Sequence, residues 1–117
     1  MNFDVHVTLG GDNHTRRVMK HNCVYIMSNR SRSVLYVGVT SNLARRRIEH
    51  QNATDSSFCG RYKVVDVIYV EWFDDIVDAI AREKQLKGQR RERKLALIRD
   101  RNPRLASLSP PFFEFME

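Results

Sequence analysis

The 117-residue chain is short of cysteine, of proline and of long apolar runs, and each shortage removes a class of protein. Two cysteines, Cys23 and Cys59, cannot build a disulfide framework and lack zinc-site spacing. They are expected as reduced thiols in a reducing compartment, with the cytoplasm as default. The longest apolar run, 64–73, is broken by Asp66 and Glu71 and falls short of the roughly 20 apolar residues of a membrane span. No membrane partner is expected. The opening residues, "MNFDVHVTLGGDNHTRR", have no charged segment leading into an apolar one, so they do not read as a secretory signal. Internal repeats and long low-complexity segments are missing too.

What the chain does have is positive charge. Twenty Lys and Arg against fourteen Asp and Glu leave a net charge of +6, with a pI near 9.7. That balance favours polyanionic partners such as nucleic acid or anionic lipid. The length suits one domain with a single modest core.

Pattern divides the chain into elements. Residues 1–21 hold "GGDN" and little periodicity, and are expected as an N-terminal tail or a short extra strand around Val5 and Val7. "CVYIM" (23–27) and "VLYVGV" (34–39) are β-branched and aromatic runs joined by the polar "SNRSRS", which predicts a hairpin. Ser41 or Asn42 is placed to cap a helix over 43–51, after a turn at Gly38. "NATDSSFCGRY" reads as loop. "VVDVIYVEWF" (64–73) reads as the third and longest strand, and Asp74 or Asp75 caps a helix ending near Gly88. A basic helix over 90–101 stops before Pro103. Residues 106–117 form a C-terminal tail that either folds back on the core or pairs with another molecule. The order β-β-α-β-α-α predicts an α+β domain over 22–105, a three-stranded, mostly antiparallel sheet flanked by helices.

Three placements carry chemical interest. Glu83 follows Ala79 by four and Ile80 by three, so a carboxylate shares the apolar stripe of its helix. Burying it is costly without a cation, which predicts a metal or an arginine as companion, or simply an internal salt bridge at the edge of the core. Arg46 and His50, four apart, share one helix face with Leu43, while Arg45 and Arg47 point elsewhere. The triplet is equally readable as a solvated face. Tyr25 and Tyr36 lie on neighbouring strands, where two phenols can converge on one side of the sheet or serve as ordinary core residues.

Taken in order, "CVY" at 23–25, "YVG" at 36–38, Arg46, His50, "AIAREKQLK" around Glu83 and "RNP" at 101–103 resemble the GIY-YIG nuclease family. The chain looks like the family's small stand-alone members, related to the nuclease domain of the UvrC repair protein. The resemblance covers about residues 22–105. It implies a metal-dependent endonuclease whose motif residues here are Tyr25, Tyr36, Arg46, His50, Glu83 and Asn102. Cys23 stands in place of glycine, Val24 and Val37 in place of isoleucine, and Gln89 in place of a tryptophan of close relatives. None of these removes a reacting group.

With Glu83 as the lone carboxylate ligand, one Mg²⁺ (or Mn²⁺) is the expected ion, because it keeps several waters and takes one or two carboxylates plus phosphate oxygens. Arg46 is expected to fork onto the same phosphate, and Tyr25, Tyr36 or His50 to handle the proton of the attacking water. Asn102 orients rather than reacts. Arg45, Arg47, Lys87, Arg90, Arg91 and Lys94 are expected to hold a nucleic acid backbone, DNA first, without reading sequence. A noncatalytic nucleic-acid-binding module and an interaction domain are the competing readings.

Overall fold

The computed structural model describes residues 3–4, 21–54 and 57–109. Its centre is β2 (Asn22–Ser28), which reads "NCVYIMS" and is buried from Cys23 onward. A strand with neighbours on both edges and helices on both faces has no side to give to water, so its apolar run is nearly unbroken. β3 (Leu35–Thr40) pairs antiparallel along one edge, with Tyr25 opposite Gly38 and Val24 opposite Val39. β4 (Asp66–Phe73) pairs antiparallel along the other, with a register shift between Ile26 and Met27. These three strands are the expected antiparallel sheet. The structure adds β1 (Phe3–Asp4), which lies parallel to β3 and makes the order β1-β3-β2-β4. Val5 and Val7, where an extra strand was expected, lie outside the described residues, as does 110–117 of the C-terminal tail.

Local chemistry sets the connections. In the β2–β3 turn the Asn29 side chain accepts from the Val34 N–H at 2.9 Å, and Arg32 adopts φ 63°. Asn42, rather than Ser41, caps α1 (Leu43–Gln51), its side chain accepting from the Arg45 N–H. Asp75 does the same for α3 (Ile76–Lys87) through the Val77 N–H. α4 (Arg91–Arg101) ends at Asn102, one residue before Pro103.

Two expectations are corrected. The segment read as loop contains a short helix, α2 (Phe58–Tyr62), capped by Ser57 accepting from the Gly60 N–H. Gly38 is not in a turn but inside β3. A Cβ there would overlap the Tyr25 ring, so the glycine serves close approach.

Strand alternation then separates two apolar layers. Cys23, Tyr25 and Met27 face Leu43 of α1 and Cys59 of α2. Val24, Ile26, Val37 and Val39 face Ala79 and Leu86 of α3 and Ile98 of α4. Each large apolar side chain so buried contributes about 1.5–3 kcal/mol. The chain stays attached past α4, where the Leu108 N–H donates to the Val67 carbonyl at 2.7 Å.

Candidate active site

The antiparallel pairing of β2 and β3 puts Tyr25 opposite Gly38 and Tyr36 one alternation away on the same face. Their ring centroids are 6.5 Å apart. Since Gly38 offers no side chain, the Tyr25 ring crosses the strand and reaches the helix above. Only Ser41 and Asn42 separate β3 from α1, which brings Leu43, Arg46 and His50 down over that face. Arg46 Nε donates to the Tyr25 hydroxyl at 3.2 Å, and His50 Nε2 lies 3.5 Å from the same oxygen. The His50 ring meets Tyr36 edge-on at 5.2 Å. Arg46 Nη1 also donates to Glu49 at 2.7 Å, which fixes the guanidinium from its solvent side.

Burial governs the titration of this group. It raises both phenols above their ordinary value, and the nearby Arg46 cation only partly offsets that. Cys59 adds to the rise at Tyr36 through charge and a side-chain hydrogen bond. Burial and the neighbouring Arg46 push His50 down to about 4, so its imidazole is neutral at pH 7. The buried Nδ1 meets no hydrogen-bond partner, although the Val64 backbone lies close enough to favour the cation slightly. Arg46 itself stays firmly protonated: burial opposes its charge, but Glu49 and Tyr25 outweigh it.

Tyr36, Arg46 and His50 line an open cleft of about 390 Å³, closed on its far side by Phe58 and Cys59 of α2. Tyr25, fully buried, lies behind this wall. The two tyrosines therefore differ in station, one at the cleft and one supporting it. Glu49, Phe58 and Cys59 were missed at the sequence level. Only Ser57, three residues before Gly60 in an otherwise loop-like segment, hinted at a helix start there.

The remaining expected residues take other positions. Glu83 is buried as its stripe predicts, and its companion is Lys87, whose Nζ lies 2.6 Å from Oε2. Asn102, also buried, donates to the carbonyls of Ile68 and Ala106 and accepts from the Ala106 N–H. These contacts lie in α3 and along the β4 side of the α4 layer, not in the tyrosine cluster. Arg91 donates to the backbone carbonyls of Arg32 and Ser33, pinning α4 to the hairpin turn. Arg45 leans on Glu49 at 3.6 Å; Arg47 and Lys94 are half-buried and Arg90 is exposed.

Among the described residues no group of three or more His, Cys, Asp or Glu is placed to hold a metal. An all-protein cage is therefore not what the donors fit. A lone buried carboxylate whose partner lysine is 42% exposed, and so can swing away, fits an ion completed by water and phosphate oxygens. No helix among the described residues is long and apolar enough to cross a membrane.

The structure thus presents a three-stranded antiparallel sheet flanked by helices, with two tyrosines on one face beneath an arginine- and histidine-bearing helix, the frame of an α+β domain with one polar cleft. Residues 21–96 match the GIY-YIG catalytic domain, and the chain belongs to that family. Nuclease activity in general is what this domain implies. The chain is similar to a UPF0213 protein of Staphylococcus saprophyticus, 31% identical over 80 residues that cover 68% of this chain and 96% of the relative. It is also similar to one from Clostridium perfringens, 35% identical over 77 residues, 66% of this chain and 82% of the relative. A third, from Natronomonas pharaonis, is 31% identical over 77 residues, 66% and 89%. No solved structure matches the chain.

Proposed function

We propose that the chain is a metal-dependent endonuclease that hydrolyses phosphodiester bonds in DNA, single-stranded or branched, with little sequence specificity. One observation carries this reading: Arg46, Tyr36 and His50 meet at one open cleft, braced from behind by Tyr25. In this reading Glu83 would hold one Mg²⁺ (or Mn²⁺) once Lys87 swings aside, and the ion would supply charge stabilisation to the phosphate being cut. Arg46, already oriented through Nε and Nη1, presents its remaining donors to the phosphate. Tyr36 is the phenol that meets the attacking water, because Tyr25 has no exposed surface. His50, neutral at working pH, is placed to accept a hydrogen bond from the attacking water, while burial and Arg46 oppose its taking the proton outright. Asn102 acts as a positioning residue through the backbone it ties.

The basic residues attract the DNA backbone. Lys87 pairs with Glu83, Arg91 with the hairpin carbonyls and Arg45 with Glu49, so Arg47, Arg90 and Lys94 are the stronger contributors. The two buried free thiols suit a reducing compartment such as the cytoplasm.

A second reading, a noncatalytic nucleic-acid-binding module, is favoured by the Lys87 ammonium sitting on the one carboxylate the metal would need. Labelled single-stranded, duplex and branched DNA, each incubated with protein in Mg²⁺ or EDTA, separates the two. Endonuclease action predicts cutting in Mg²⁺ only, with Glu83→Ala losing at least about 100-fold in rate while still binding DNA. Salt-sensitive binding without any cutting supports the module instead, and normal cutting by Glu83→Ala removes the metal assignment.

A further inference from the structure

The far wall of the cleft carries a feature that the proposed chemistry leaves unused. Phe58 and Tyr62 of α2 are large rings at 53% and 44% exposure. They stand in file with the cleft tyrosine: Tyr36 and Phe58 stack at 6.4 Å and 25°, and Phe58 and Tyr62 follow at 4.9 Å and 48°. A single exposed aromatic residue needs no explanation. Two on one five-residue helix, Phe58 stacked towards Tyr36 and Tyr62 tilted against Phe58, make a row of rings from solvent to the cleft.

The platform is mounted on packed structure. Cys59 and Gly60 bury the inner side of α2, and a Cβ at Gly60 would overlap the Thr54 backbone, so the helix sits directly on the preceding segment. Positive charge flanks the rings, with Arg46 in the cleft wall and Arg61 and Lys63 exposed beside Tyr62. Aromatic steps interleaved with cations are how proteins hold single strands, since every unpaired base offers a π-face and every nucleotide a phosphate. A duplex hides those faces in its own stack.

We propose that Phe58 and Tyr62 form a base-stacking subsite that takes unpaired bases of a single-stranded DNA and guides its backbone past Arg46 into the cleft. The direction of threading rests on the endonuclease reading; the stacking does not. It deepens that reading by naming the strand state of the substrate.

The test is fluorescence anisotropy in EDTA, where nothing is cut, with labelled oligothymidylate, an abasic strand of equal length and a blunt duplex. The wild-type protein is expected to bind oligothymidylate more tightly than either of the others. Phe58→Ala and Tyr62→Ala are each expected to weaken oligothymidylate binding by roughly 5- to 150-fold while leaving abasic binding unchanged. Phe58→Tyr, which keeps a ring, is expected to retain most of the affinity and guards against a folding defect in the alanine variant. Equal wild-type affinity for thymidylate and abasic strands overturns the proposal, as does a loss in Phe58→Ala that falls equally on both. Adding Mg²⁺ to the same strands separates the two ideas. Base-dependent binding without cutting rejects the endonuclease reading and keeps the subsite; cutting with base-independent binding does the reverse.

Discussion

At the scale of single residues, the cluster depends on one missing side chain. Gly38 is needed because the Tyr25 ring occupies the space a Cβ would fill. Gly38→Ala must therefore displace a fully buried phenol that holds Arg46, and is expected to cost about 1–3 kcal/mol, read as a lower urea midpoint. His50 sets a pH dependence. It titrates near 6.5 when free and near 4 in the fold, so between those values the unfolded chain binds the extra proton. Its stabilising contribution is whole above about pH 6.5 and is lost as pH falls through 4. With Arg46 and Glu49 as its charged neighbours, the wild type should lose on the order of 2 kcal/mol more than His50→Gln across that window. Parallel urea titrations of the two proteins check this; equal losses would place His50 in water rather than against the sheet.

Elements explain both what was legible in the sequence and what was not. The hairpin, α1, α3 and α4 each carried a strong local signal: β-branched runs around "SNRSRS", caps at Asn42 and Asp75, a stop at Pro103. α2 gave almost none, because five residues containing a glycine have no helical period to detect, and its place is fixed by burial of Cys59 and Gly60. Strand alternation and the i,i+4 rule placed Tyr25 with Tyr36 and Arg46 with His50 on shared faces without tertiary knowledge, but only the family resemblance joined the two pairs into one site. Glu83 was readable as buried but not by partner, since Lys87 is as ordinary at i+4 as any surface pair. Asn102 shows how a motif residue can act through an element: three hydrogen bonds hold the end of α4 to β4 and to Ala106. Asn102→Ala should lower stability by about 1–3 kcal/mol, seen as an earlier thermal transition. An unchanged transition would mean that those bonds do not secure the α4 end.

For the whole molecule, the sheet acts as a partition. One face, under α1 and α2, carries the phenols, the guanidinium and the exposed rings; the other, under α3 and α4, supplies the apolar mass. A net charge of +6 draws polyanions to the surface as a whole, so binding alone says little about which face works. Cutting says more, and Arg46 is the residue to ask, since it joins the β2 tyrosine to the open cleft and remains charged at any working pH. The decisive measurement is the single-turnover rate of Mg²⁺-dependent cleavage of a labelled single strand by wild type and by Arg46→Ala, with the DNA fully bound. Cleavage by the wild type that falls at least about 100-fold in the variant, with strand affinity nearly kept, is the predicted result. Equal rates in the two proteins would contradict it.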